Sequence, residues 1–448
     1  MVVKRILKVG AVGAVAVVAG AGAVVVKRAL PPTRIPSYPG AGGGVTPETA
    51  LDLAVMLAGD DRVTKGDVAI DFARATAVNV EPLLHGTAYF PRMLADIEAA
   101  EASVHLLMYG YKPGDIGEKF RVALTAKAAA GVDVRLAVDA IGSEVRFGSK
   151  ELFAQLVDAG IPIVMNKGMM PDVTGPLGSG ASVGWPVEDI GAFDHRKMLV
   201  VDGRVAYVGG TGIEDHFNDE RFYDVMVRLE GPVVAQLEAL FLAGYRHQGG
   251  PLPVDRAELA RFFPALPEPV LGGVPTTVLV NVPGTGHYPI SEAIESLIEH
   301  AERRIDIVNP YVADKRTIDR LVDAGNRGVP VRIVIPGKPT PTYPAAAFRH
   351  NYPRLLASGA TILAHPDMAH AKVLVADDRA LVGGCNFDAL SLYQNWELDL
   401  LFEDAGVAQR VSDEIVGRFA AVATPVEVAE DPKTKAWDML MDRISPLL

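Results

Sequence analysis

Two short stretches of the chain place a histidine and a lysine two residues apart. One is Asp194-His195-Arg196-Lys197, running on to Asp202-Gly203; the other is Ala369-His370-Ala371-Lys372, running on to Asp377-Asp378. Both read His-x-Lys-x-x-x-x-Asp, and both lead through apolar residues into a glycine pair, Gly209-Gly210 and Gly383-Gly384. An imidazole can attack phosphorus or hand a proton to a leaving alkoxide. A lysine supplies positive charge where phosphoryl oxygens gain electron density. The surrounding apolar run reads as a strand, on which residues two apart share a face. His195 and Lys197 therefore point the same way, as do His370 and Lys372. Asp202-Gly203 and Asp377-Asp378 fall at hairpin turns, with return strands over 205–208 and 380–382. A single His-x-Lys pair is what any strand rim carries; two copies in matching surroundings are not expected by chance.

The elements that must position these residues are themselves repeated. In the first half, a helix over 90–100 precedes a strand over 103–109. A helix near 122–130 leads to the strand 131–139, and a helix over 149–159 stops at Gly160 before the strand 161–165. The second half runs in the same order: helix 291–301, strand 305–309, helix 317–324, strand 328–336, helix 352–357, Gly359, strand 361–364. Strand, helix, strand with glycine stops marks βαβ units. Each half is thus expected to be an α/β lobe with a mixed, mostly parallel sheet flanked by helices. The domain reading is 1–30 membrane anchor or signal segment, 31–46 linker, 47–247 first lobe, 248–274 connector and 275–448 second lobe. Gly249, Gly250, Pro251, Pro253, Pro264, Pro267 and Pro269 break regular structure across the connector.

The N-terminus differs in kind. Lys4, Arg5 and Lys8 precede residues 9–26, eighteen uncharged positions of Val, Ala and Gly, and Lys27 and Arg28 close the run. Eighteen residues at helical rise reach about 27 Å, a bilayer core. A retained single-pass anchor is the reading, with a cleaved signal peptide as its rival. The early basic residues favour a cytoplasmic N-terminus and a body on the extracytoplasmic side. Asp plus Glu number 55 against 43 Lys plus Arg, a formal charge of -12. That balance argues against long nucleic acid as a partner. The lone Cys385 rules out an intramolecular disulfide or a thiolate zinc cluster and reads as a buried filler.

The duplicated motif resembles the HKD signature of the phospholipase D superfamily, and within it the bacterial cardiolipin synthase branch. Residues 136–143, the segment Asn309-Pro310-Tyr311-Val312, and the run from Gly383 to Ser391 with Asn395-Trp396-Glu397 carry the same resemblance. It implies two pseudo-symmetric lobes with His195 and His370 facing each other across their interface. His195 would attack phosphorus as nucleophile and His370 would act as acid and base. Lys197 and Lys372 would grip the phosphoryl oxygens, Asn386 would add a hydrogen bond, and Asp224 and Glu397 would orient the histidines. Asp202 and Asp377 would hold loops rather than touch substrate. The resemblance implies no metal or cofactor, since the lysines supply the charge. It implies a phosphatidyltransferase acting on phospholipid at the bilayer with an alcohol acceptor. A hydrolase giving phosphatidic acid, a nuclease of the same superfamily and a noncatalytic membrane scaffold are the alternatives. Three positions depart from the pattern: Asp194 replaces the usual Asn, Gly212 stands opposite Asn386, and Lys338 stands where an acid is more frequent.

Tyr109, Tyr111, Tyr311 and Tyr343 follow predicted strands, where α/β proteins bind ligands; lipid contact and packing under loops are both open for each. His216 and His247 fit exposed polar roles. The loop 168–184, with Met169 and Met170, reads as an apolar lipid lip or a plain surface loop.

Overall fold

The computed structural model describes residues 44–59, 70–145, 148–166, 193–219, 221–265, 273–283, 286–339 and 341–445. The apolar run 9–26 and the loop 168–184 lie outside the described residues. Among the described residues no helix is long and apolar enough to cross a membrane.

The first half supplies β1 (Ala75–Leu84), β2 (Ser103–Met108), β3 (Asp133–Asp139), β4 (Ile163–Asn166), β5 (Met198–Val201), β6 (Val205–Gly209), β7 (Phe222–Tyr223) and β8 (Val225–Glu230). The second supplies β9 (Val274–Asn281), β10 (Ile305–Val308), β11 (Val331–Pro336), β12 (Thr361–His365), β13 (Met368–Ala369), β14 (Lys372–Ala376), β15 (Arg379–Gly383), β16 (Glu397–Phe402) and β17 (Thr424–Pro425). Read outward from the centre, the first half is ordered β1-β8-β6-β5-β2-β3-β4 and the second β9-β16-β15-β14-β10-β11-β12. The two orders match strand for strand. Because β1 pairs antiparallel with β9, they fuse into one 15-stranded sheet, with β17 added at the β12 edge.

The expectation of a mostly parallel sheet is corrected here. Only β2-β3-β4 and β10-β11-β12 are parallel; the remaining ladders within each half are antiparallel. Parallel pairing needs a crossover of a dozen or more residues, and the sequence provides helices for it only in the βαβ stretches. After each His-x-Lys strand the chain turns back at once. β5 returns as β6 through residues 202–204, and β14 returns as β15 through Asp377-Asp378, with positive φ at Asp202 (53°) and Asp377 (52°).

Strand alternation sorts side chains into separate cores. Leu199 and Tyr207 pack with Leu106, Leu136 and the helices Gly86–Ala99 and Asp115–Ala129. Leu374 and Leu381 pack with Ile307, Ile333 and the helices Pro289–His300 and Lys315–Asn326. Their neighbours Val200, Val227, Val373 and Leu400 face the other way, into one core shared by both halves and covered by the helices Ala50–Gly59 and Val233–His247. Strands buried on both faces explain why β5 and β14 read as continuous apolar runs. At roughly 1.5–3 kcal/mol for each buried large aliphatic side chain, this shared layer resists separation of the halves.

Candidate active site

Both histidines stand just before a central strand, and each is placed by the opposite half. Asp194 forms a parallel bridge with Trp396, and Ala369 pairs in parallel with Tyr223 where β13 meets β7. The His195 N–H donates to the Trp396 carbonyl (3.0 Å), and the His370 N–H donates to the Tyr223 carbonyl (2.7 Å). In a parallel register the next residues along also become neighbours. His195 therefore lies beside Glu397, and His370 beside Asp224.

The side chains complete that crossed arrangement. His195 Nδ1 lies 2.9 and 3.1 Å from the two Glu397 carboxylate oxygens, and His370 Nδ1 lies 2.6 Å from Asp224 Oδ2. Both acids are fully buried, while the histidine side chains retain 14% and 16% exposure. Lys197 and Lys372 are buried next to them. Lys197 donates to the His195 carbonyl and lies 4.9 Å from the centre of the Tyr109 ring. Lys372 donates to the His370 carbonyl (2.6 Å), lies against the His370 ring and reaches Asp224 at 3.5 Å. Gly210 makes room for this pair, since a Cβ there would lie 2.4 Å from Asp224 Oδ1.

The electrostatics are dominated by burial and by the two lysines. Burial pulls Lys197 down to about 7, and it pulls Lys372 down as well. His370 is lowered to about 4 by burial and by Lys372, against the pull of Asp224. His195 is held well below its usual value by burial and by Lys197, Lys372 and His370. Burial pushes Asp224 up, but Lys372 and His370 outweigh it, so its carboxyl lies below the ordinary value. Glu397 goes the other way: burial raises it well above the usual carboxylate range. Two ammonium groups crowded together out of water favour any ligand that brings phosphoryl oxygens.

The remaining sequence candidates fall around this centre. Asn386 is buried and its Nδ2 donates to Ser391 Oγ (3.4 Å), whose hydroxyl in turn bonds Glu397. Asp202 accepts from the backbone N–H groups of Glu101, Ala102 and Ser103 at 2.7–2.9 Å. Asp377 accepts from those of Glu302, Arg303 and Arg304 at 2.8–3.1 Å. Both thus tie a hairpin to the loop before a parallel strand. Tyr109 sets its ring against His195 (4.7 Å), whereas Tyr111 is buried and donates to the Gly117 carbonyl. His247 packs at a tilt against Trp396 and is half-buried rather than exposed; His216 is exposed and packs on Phe217 and Phe222.

Three supporting contacts were not read from the sequence. Asp139, raised to about 7 by burial, accepts from the N–H groups of Ile141, Gly142 and Asp194. It thereby fixes the residue before His195. Asp399, also raised to about 7 by burial, accepts from the N–H groups of Gly384 and Cys385. Asp194 forms a two-pronged bond with Arg196, both at 2.7 Å, and Arg196 covers the Trp396 ring at 4.8 Å. The carboxylate at 194 is thus matched by its own buried guanidinium. A charged residue inside an apolar strand run, as at Asp139 and Asp399, was the available signal.

Two matched histidine–lysine sets, joined across two fused α/β halves and backed by crossed acids, define a phospholipase D-type phosphodiester enzyme. The chain belongs to the family described as cardiolipin synthase, phospholipase D-like domain, whose model matches residues 93–243 and 294–418. It is 30% identical over 346 residues to the major cardiolipin synthase ClsA of Bacillus subtilis, covering 74% of this chain and 67% of that protein. It is 26% identical over 372 residues to cardiolipin synthase A of Edwardsiella ictaluri, covering 80% and 73%. The chain spans about two thirds of the length of several curated relatives it matches. The fold is shared with the phosphatidylserine synthase of Haemophilus influenzae at 13% identity, with a TM-score of 0.63 over 84% of this chain and 95% of that one.

Proposed function

We propose that the protein is a phosphatidyltransferase of cardiolipin synthase type, working through a phosphohistidine. The observation that carries this reading is the crossed pairing of His195 with Glu397 and His370 with Asp224, with a buried lysine beside each histidine. His195 attacks the phospholipid phosphorus while His370 gives a proton to the departing alcohol, so the P–O bond breaks as a P–N bond forms. The acceptor hydroxyl then loses its proton to His370 as its oxygen displaces His195. Lys197 and Lys372 hold the non-bridging oxygens, and Asn386 lends further polarity. Asp224 pulls His370 toward its protonated form against burial and Lys372, whereas burial raises Glu397 itself and gives His195 less such support; that difference favours His370 as the acid and leaves His195 as the nucleophile. Residues 9–26 anchor the body at the bilayer on its extracytoplasmic side, next to its substrate.

The test is product analysis with purified protein in mixed micelles of phosphatidylglycerol. Cardiolipin with free glycerol supports the transferase. Phosphatidic acid as sole lipid product, despite abundant alcohol, assigns a hydrolase; nucleic acid cleavage without lipid turnover assigns a nuclease. Mapping the trapped phosphopeptide should return His195, and an adduct confined to His370 would reverse the two roles. Detergent but not high salt should release the protein from membranes, whereas a soluble form beginning near residue 24 would mark a cleaved signal.

A further inference from the structure

Beside His370 the surface opens into a cleft of about 300 Å³, whose lining includes Asp219, Arg221, Phe222, Lys338, Asp367 and Met368. It shares a wall with the active centre. The Phe222 ring packs 5.1 Å from that of His370, and Met368 lies two residues before it on the strand that pairs with β7. The charges in this cleft are unequal in their commitments. Arg221 is bonded to Asp219 through Nε (3.2 Å) and Nη2 (3.0 Å) and is drawn by Asp367 as well. Lys338, exposed just after β11, has no ion pair or hydrogen bond among the described residues. The cleft therefore presents one uncommitted ammonium, with carboxylates nearby that can accept from hydroxyl groups.

The transfer chemistry makes a specific demand here. When the acceptor is phosphatidylglycerol, it carries a second phosphodiester that does not react. That phosphorus lies about five bonds, on the order of 6 Å, from the attacking oxygen. Lys197 and Lys372 are engaged by the reacting phosphoryl group, so the second anion needs a cation of its own on the side where His370 takes the proton. Hydrolysis makes no such demand, because water brings no charge. We propose that this cleft is the subsite for the acceptor's own phosphodiester, with Lys338 as its cation and specificity-determining residue. The inference rests on the transferase reading and names the acceptor as an anionic glycerophospholipid.

The experiment uses the full chain in neutral-detergent micelles with a phosphatidyl p-nitrophenyl donor. Nitrophenolate release reports the first step, and phosphatidylglycerol and glycerol compete as acceptors. Lys338→Ala is expected to raise KM for phosphatidylglycerol about tenfold, the scale of one charge-assisted contact, without changing kcat. Transfer to glycerol and nitrophenolate release should stay at the wild-type level, Lys338→Glu should be worse, and Lys338→Arg should restore the affinity. Equal losses with both acceptors, or no change with either, would overturn the subsite while leaving the transferase standing. Wild-type protein that yields only phosphatidic acid with both acceptors would overturn the transferase reading, and the subsite with it.

Discussion

Exchanging Glu397 for glutamine should disable the histidine of the other half and spare the one in its own. Glu397 is buried and lies 2.9 Å from His195 Nδ1. Its isosteric amide can donate to Nδ1, which places the ring proton on Nε2 and removes the lone pair needed for attack. A hydrogen bond to a charged group is worth roughly 1.5–3 kcal/mol, or about 10- to 150-fold in rate from orientation alone. The wrong tautomer extends the loss toward about 10⁴, the scale seen when a triad acid becomes an amide. Asp224→Asn should cost as much with a natural lipid, because it strips His370 of the partner at 2.6 Å. The two variants separate with the p-nitrophenyl donor, whose leaving group departs without a proton. Asp224→Asn should then regain a rapid burst of nitrophenolate and accumulate phosphohistidine, since only the acceptor step still needs a base. Glu397→Gln should show no burst. The refuting result is the reverse pattern, a burst with Glu397→Gln and none with Asp224→Asn. That would mean the acids serve the histidines of their own halves or that the histidine roles are exchanged.

Burial pulls Lys197 down to about 7, so kcat/KM should fall as pH rises through about 7 and the proposed phosphate grip is lost. Lys197→Arg should flatten that alkaline limb in a pH–rate profile even if its rate is lower, because a guanidinium does not deprotonate. Gly210→Ala would bring a Cβ to 2.4 Å from Asp224 Oδ1 and should match Asp224→Asn in turnover. Gly384→Ala would meet the Gly209 carbonyl at 3.3 Å and Glu397 Oε2 at 3.5 Å, a far milder crowding, and should keep more activity than Gly210→Ala; equal damage by both would count against this packing account. Asp377→Ala strips three backbone N–H groups of their acceptor and should cost about 2 kcal/mol in urea denaturation. The Asp377 carboxyl lies below its ordinary 3.8, because those three N–H groups and Arg303 outweigh the burial that pushes it up. Its share of stability is therefore full above pH 4 and is lost as pH falls through the native value. Asp377→Asn should flatten that acid dependence.

The repeated motif and βαβ order were legible because each rests on local spacing. Period-two faces place His195 with Lys197, and glycine stops delimit the helices, whatever the rest of the chain does. The antiparallel majority of the sheet was not legible. It depends on which strand the chain returns to after β6 and β15, a choice made by packing rather than by the hairpin residues. The crossed acids were hidden for the same reason. Asp224 follows His195 in sequence and Glu397 follows His370, so adjacency along the chain suggests the wrong partners. The parallel bridges Asp194–Trp396 and Ala369–Tyr223 decide the matter, and they connect residues about 150 to 200 apart. The Asp194–Arg196 fork shows how a departure from the usual motif residue can be absorbed, since the compensating charge stands two positions along on the same strand end.

That crossing has a structural corollary. Each half holds a histidine and a lysine but takes the acid that orients its histidine from the other half, so neither half contains a complete set. The lysines repel across the same interface, and burial makes their charge costly. The interface must therefore be held by something other than its polar groups. The antiparallel pairing of β1 with β9 and the shared apolar core beneath Val200, Val227, Val373 and Leu400 supply that hold. The polar centre can then keep two buried lysines close together despite their repulsion. Cohesion thus comes from the apolar core, and the same pseudo-symmetry that builds two equivalent His-x-Lys sets also provides, in the unlike pair Asp224 and Glu397, the asymmetry that the two proposed proton-transfer roles require.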